Sequence, residues 1–463
     1  MKKVLYILFT ALFIAVCITP LAFMKSYIRE NPLPLANETP AVWPLDSLKD
    51  FNSDTFSGIS SYVDQHFAFR YELITANSTV LAKTLHVSGS KAVVLGKDGW
   101  LFFGKTVNDY TGKATMDARQ IRNIHRNLQL IREGVEKKGC RFYFTIAPNK
   151  NSLYGQYMPY FYKQHLDTNN YSKLKPYLGD VNYIDMYRVF RGTDRTVYHK
   201  LDSHWNNEGA LMAHNAIMKA TGRTYDDYSG VTKKTVKNHD GDLYPMIYPK
   251  GSQKDYNVEY ARRHLFTYDR PVRNNDDILI DTSCTGKTGS LVMFRDSFGI
   301  ALLPYMADEY GRAEFSKVVP YDIAGISSQG SADVVLEIVE RNLGNLCSTA
   351  PVMDAPQRKQ ISGDRQLAAS TAVTAVDMGQ RLKLSGDLGS CVRGRDADIF
   401  IEIDQRQAGR LVRKTYEPFY IGDTKFEMYV PGTKVSAIEH IYAFTGNKGN
   451  YKKVELKLKE AEN

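Results

Sequence analysis

Residues 140–147 (CRFYFTIA) constrain this chain more than any other stretch. They are dense in aromatic and β-branched side chains and short enough for a strand buried inside a sheet. Directly before them, over 117–139, Ile121, Ile124, Leu128, Ile131 and Val135 recur at alternating steps of three and four. That spacing is one apolar face of an amphipathic helix, and Gly139 stops it. A helix followed at once by a buried strand is half of an α/β unit.

The alternation continues downstream. Residues 181–186 (VNYIDM) read as a short strand, 208–220 (EGALMAHNAIMKA) as an amphipathic helix, and 290–294 (SLVMF) as a buried strand feeding the helix-like FGIALLPYMADEYG. Residues 332–343 (ADVVLEIVERNL) are expected to close the region as a helix. Strands alternating with helices predict an α/β fold, a mostly parallel sheet flanked by helices, over 51–346. Composition then shifts. Residues 347–363 read as a linker, and over 364–463 the apolar residues follow period two: Leu382 and Leu384, then Ile399, Ile401 and Ile403, then Val454, Leu456 and Leu458. This predicts a small all-β sandwich. Its aromatics Tyr416, Phe419, Tyr420, Tyr429 and Tyr442 are either core or platforms for sugar rings, which makes it a candidate carbohydrate-binding module.

With 43% hydrophobic and 24% charged residues, the chain is neither disordered nor a polytopic membrane protein. Its net charge of +9 is spread along the sequence, so nucleic acid, an anionic polymer and a membrane surface all suit it. The amino terminus narrows the choice. Lys2 and Lys3 precede an apolar run over 4–24, about the ~20 residues that span a bilayer core. Residues 1–24 are therefore a membrane anchor or a signal peptide. The length of the run and the poor cleavage site at 20–22 favour the anchor. Residues 25–50, with Pro32, Pro34, Pro40 and Pro44, read as an extended spacer. Beyond Cys17, four cysteines (Cys140, Cys284, Cys347 and Cys391) allow disulfides or buried thiols, and no CxxC suggests a zinc site.

Two pieces carry chemistry. In Asp202-Ser203-His204-Trp205 an extended backbone would put the carboxylate and imidazole on one face, so that Asp202 orients His204 and leaves its Nε2 free as a base. In Arg295-Asp296-Ser297-Phe298-Gly299 a serine stands between a buried strand and a helix, where its N–H meets the positive helix end. Together they supply nucleophile, base and orienter. Taken singly, His204 reads equally as a residue at the start of the next helix and Ser297 as an N-cap.

The chain resembles the SGNH-hydrolase-like alginate O-acetyltransferase family, also described as DHHW proteins. The resemblance rests on DQHFAFR at 64–70, GKDGWLF at 96–102, Pro148-Asn149-Lys150 with Tyr154 and Pro159, DSHW at 202–205, Gly241-Asp242-Leu243, RDSFG at 295–299, and Asp333-Val334-Val335 running to Glu340-Arg341. It implies Ser297 as nucleophile, His204 as general base and Asp202 as its orienter. Asn149, Lys150, Arg295 and Trp205 are its candidates for oxyanion or substrate binding, with Arg295 standing where many relatives have Gly. Asp64, His66 and Arg70 read as a structural network.

The resemblance further implies an extracytoplasmic enzyme in the periplasm or at the cell surface. Such an enzyme acetylates a secreted polysaccharide, with a membrane-bound O-acyltransferase as partner and acetyl donor, and nucleic acid is no partner. An acetylesterase using the same triad, and a non-catalytic polysaccharide-binding scaffold, are the alternatives. No cofactor is expected. Thr285-Gly286-Lys287-Thr288 ends like a phosphate-binding loop, but position 281 is Asp where that loop needs Gly. HExxH and a dinucleotide fingerprint are absent from the sequence, so no metal is expected either.

Overall fold

The computed structural model describes residues 2–30, 41–45, 51–165, 167–326, 332–365, 371–407 and 409–460. Most of the expected spacer, including Pro32, Pro34 and Pro40, lies outside them. The apolar run forms the helix Lys2–Ala22, long and apolar enough to cross a membrane and with none of its residues buried. Either a signal sequence or an anchor has this form. Its end meets the body where Ala68 N–H donates to Pro20 O at 2.9 Å and Phe23 packs on Phe69.

The α/β part is built on a seven-stranded sheet with the spatial order Tyr183–Ile184, Arg141–Ala147, Asp333–Val339, Ser290–Phe294, Arg312–Ser316, Leu279–Ser283, Thr267–Tyr268. The first five strands are parallel and the last two antiparallel. Successive residues of the 141–147 strand face opposite sides. Phe142, Phe144 and Ile146 join Val334, Leu336 and Ile338 beneath the helix Ala118–Lys137. Tyr143, Ala147, Val335 and Val339 lie under the helices Asn207–Thr221 and Gly299–Ala307.

Residues 333–339 correct one expectation. Where the spacing predicts a helix, they form a central strand, paired in parallel on both sides and buried at every position. The apolar pairs Val334-Val335 and Ile338-Val339 mimic helical spacing. A run this rich in Val and Ile on both faces has little polar surface to give water, so it belongs where both faces are covered. The helical turn comes only afterwards, as a 3₁₀ segment over Glu340–Cys347.

The period-two segments become a largely antiparallel all-β domain whose strands, from Gln357–Arg358 to Asn450–Glu460, join in one continuous ten-stranded sheet instead of two separate ones. Leu382, Ile401, Met428 and Leu456 from distant strands share one buried cluster, so the sheet curls over itself. Tyr416, Phe419, Tyr420 and Tyr429 are buried in that core, and of the five aromatics only Tyr442 reaches the surface. Four of the five are therefore unavailable as sugar platforms. Residues 347–363 do not dangle between domains, because Ala350, Met353 and Ala355 are buried and Asp354 bridges to Tyr429. All five cysteines are free thiols, with Cys140, Cys284 and Cys347 buried.

The polar side of the 118–137 helix is buried as well. Asn127 donates to Leu346 O and Tyr420 O at 2.8 Å each and accepts from Tyr420 N, while Asn123 donates to Gly422 O. Arg126 forms a two-pronged pair with Glu417 at 2.5 and 2.6 Å, and Arg358 adds a third contact to the same carboxylate at 2.8 Å. Glu417 is 2% exposed, and its removal takes away the carboxylate partner of Arg126, while Arg358 keeps Glu133. Glu417→Ala should cost about 3 kcal/mol or more of stability, read as a lowered denaturation midpoint.

Candidate active site

Parallel strands place their carboxyl ends on one edge, where sites of open α/β sheets collect. The Ser290–Phe294 strand ends there and turns through Arg295-Asp296-Ser297-Phe298 into the Gly299–Ala307 helix. Asp296 shapes the turn by accepting from Phe298 N at 2.9 Å and Val339 N at 2.8 Å. The N–H of Ser297 finds no acceptor among the described residues, which leaves it directed at the helix entrance.

The second piece comes from a tight loop closed by pairing between Tyr198 and Trp205. Here the local geometry differs from the extended segment expected. Asp202 and His204 meet because the backbone bends: Asp202 Oδ1 accepts from both His204 N at 2.8 Å and His204 Nδ1 at 2.7 Å. On the far side of the ring, His204 Nε2 lies 2.8 Å from Ser297 Oγ. Ser297, His204 and Asp202 thus form one hydrogen-bonded row. It borders a cleft of about 420 Å³ whose walls include His239, Asn257, Phe298 and Tyr305.

Electrostatics follow from the contacts. Burial opposes ionisation of Asp202, but hydrogen bonds from His204 and His239 prevail and hold its carboxyl well below the usual range. Burial likewise opposes the His204 imidazolium. The hydrogen bond and charge of Asp202 outweigh it, so His204 titrates above the ordinary 6.5. Asp242 is pushed up by burial and by the neighbouring Asp202 charge.

The four secondary candidates fall in different places. Lys150 is buried, and its Nζ donates to the carbonyls of His199 (3.0 Å), Lys200 (3.0 Å) and Asp202 (2.5 Å). Desolvation pushes it down to about 7. It staples the loop that carries Asp202. Trp205 is also buried; its Nε1–H donates to Phe298 O at 3.0 Å, tying the loop that carries His204 to the start of the Gly299–Ala307 helix. Arg295 spends its guanidinium on Asn275 O and Asp277 O, which removes it from the oxyanion and substrate candidates. Asn149 follows the 141–147 strand, is anchored by its N–H to Glu340 Oε2 at 2.8 Å, and keeps a buried side-chain Oδ1 without a partner among the described residues.

Several residues at the site were not singled out as site residues. Asp242 accepts from Ser203 N and Oγ at 2.7 and 2.6 Å, and its own N–H donates to Asp202 Oδ2 at 3.1 Å. Its signal lay in the Gly241-Asp242-Leu243 stretch. Gly241 is required there, since a Cβ would stand 2.3 Å from Leu201 O. His239 and Asp255 gave no signal, because they arrive on the two-stranded hairpin Lys233–His239 and Asp255–Tyr260. Asp202, His204 and Asp242 bring one potential ligand atom each within 4.8 Å of one another, the arrangement a cation would use. Here His204 Nδ1 is committed through its proton to Asp202, and Asp242 to Ser203, so the three are built as a hydrogen-bond network.

No curated protein sequence matches the chain. Solved structures similar to it include a DHHW family protein from Eubacterium siraeum (17% identity, TM-score 0.39, 48% of this chain and 85% of the other). The O-acetyltransferase domain of Pseudomonas putida AlgJ is similar at 17% identity and TM-score 0.37, covering 55% and 92%. Pseudomonas aeruginosa AlgX is similar at 10% identity and TM-score 0.34, covering 78% and 89%. Residues 93–285, which include Asp202 and His204 and end before Ser297, match the family described as the SGNH hydrolase-like domain of the acetyltransferase AlgX. Over that stretch the chain is similar to the SGNH hydrolase-like domain of that family.

Proposed function

We propose that this protein is an O-acetyltransferase that moves an acetyl group through an acyl-Ser297 intermediate onto hydroxyls of a secreted polysaccharide. The observation that carries this reading is the hydrogen-bonded row Ser297–His204–Asp202 at the carboxyl edge of the sheet. As Ser297 Oγ attacks the donor's acetyl carbonyl, His204 Nε2 takes its proton. The oxyanion forms beside the Ser297 N–H at the helix entrance, with Asn149 the candidate second donor. Collapse expels the donor's alkoxide, which recovers the proton from His204. A sugar hydroxyl then gives its proton to His204 and attacks the acyl-serine, and breaking the Ser297 ester restores the enzyme.

The compartment and partner belong to the same proposal. The Lys2–Ala22 helix anchors the protein to the membrane with its body outside the cytoplasm, where acetyl-CoA is not at hand. A membrane-bound O-acyltransferase supplies the acetyl group. The purified protein, given an activated acetyl ester with and without an oligosaccharide, should transfer acetyl to sugar. Release to water alone would make it an acetylesterase; no turnover together with glycan binding would make it a scaffold. Either result would overturn the transferase reading.

A further inference from the structure

The carboxylate of Asp202 serves two histidines. Its Oδ1 takes the two donors of His204, while Oδ2 takes Asp242 N at 3.1 Å and His239 Nε2 at 2.9 Å. His239 reaches it from the end of the Lys233–His239 strand, with its side chain 30% exposed, and forms part of the wall of the cleft beside Ser297. Its ring is pinned flat against His199, with centroids 3.7 Å apart and planes 3° from parallel. His199 in turn donates Nδ1–H to Tyr256 O at 3.0 Å, and burial beside His239 pushes it down to about 4, so it is a neutral stacking partner.

We infer that His239 is a positioning residue for the acyl-transfer reaction: it holds Oδ2 of Asp202 so that Oδ1 stays aimed at His204. The inference rests on the catalytic reading of Ser297, His204 and Asp202. Because Asp202 is ionised, the His239 nitrogen that meets it, Nε2, is the donor.

The charged and titratable groups around His239 come from every neighbouring element. They are Lys237 and Asp240 on its own strand and turn, His199, Asp202 and His204 from the catalytic loop, Asp242 beyond Gly241, and Lys254 and Asp255 from the paired strand. Lys254 pairs with Asp240. Asp255 accepts Leu201 N at 2.6 Å, so neither of these two replaces His239 at Asp202.

Glutamine keeps an N–H donor for Oδ2; alanine removes it. Activity on an activated acetyl ester and the rate of Ser297 sulfonylation by an arylsulfonyl fluoride should be measured against pH for the full chain and the two variants. His239→Ala should lower kcat about tenfold, the worth of one hydrogen bond to a charged group, with KM nearly unchanged. His239→Gln, which keeps the donor, should restore most of that kcat.

A kcat in His239→Ala equal to wild type would overturn the inference, as would a loss that glutamine does not rescue and that tracks a lowered denaturation midpoint. Full turnover in Ser297→Ala would instead sink the acyl-serine reading itself, so the two failures are distinct.

Discussion

Ser297→Ala should abolish acetyl transfer, lowering turnover by at least about 10⁴-fold while leaving the protein folded. The side chain makes one contact of consequence, 2.8 Å to His204 Nε2, and is only half-buried. Its loss removes one hydrogen bond, on the order of 1 kcal/mol. The shape of the nucleophile turn does not depend on it, because Asp296 sets that turn through Phe298 N and Val339 N. Circular dichroism and the denaturation midpoint should therefore match the wild type, and no acetyl label should appear on the protein after exposure to an activated ester. A Ser297→Ala variant that still becomes acetylated and transfers acetyl would place the nucleophile elsewhere.

Asp202→Asn should cost about 10³–10⁴-fold in rate through the tautomer it enforces. With Asp202 ionised, His204 carries its proton on Nδ1 and offers Nε2 to Ser297. An amide nitrogen facing Nδ1 would demand a lone pair there and move the proton to Nε2, where it cannot accept from serine. Folding should suffer far less, by the few kcal/mol that follow from one hydrogen bond left imperfect at a buried site.

The pH dependence has a definite sign. His204 works as a base only when neutral, and Asp202 raises its pKa above 6.5, so the wild-type rate should fall on acidification with a midpoint above that value. A profile flat from mildly acid to neutral pH, together with an active Asp202→Asn enzyme, would remove His204 from the role of base.

Much of the α/β body was legible because apolar periodicity reports which faces of a segment are covered. The 118–137 stripe of Ile121, Ile124, Leu128, Ile131 and Val135 packs on the sheet as its spacing requires, and residues 141–147 form a strand buried from Phe142 onward. The same rule misled at 333–339, where a two-sided apolar run fits helix and buried strand alike until its neighbours are known. It was silent about Asn123 and Asn127, polar residues on the helix's other side, because the β-domain that buries them lies some 290 residues further along the chain.

By itself, then, the sequence determined the alternation of helices and strands, the apolar Lys2–Ala22 helix, and the residue types at 202, 204 and 297 from which a nucleophile, base and carboxylate are drawn. Only the tertiary structure decided that these three converge, that Lys150 and Trp205 brace the loop while Arg295 braces the neighbouring 275–277 segment, and that Asp242 and His239 share the carboxylate of Asp202. The physical reason is range. Periodicity, caps and turns are properties of neighbouring residues, whereas a buried carboxylate is defined by whichever donors the fold delivers to it, and those of Asp202 arrive from its own loop and from a hairpin about forty residues away.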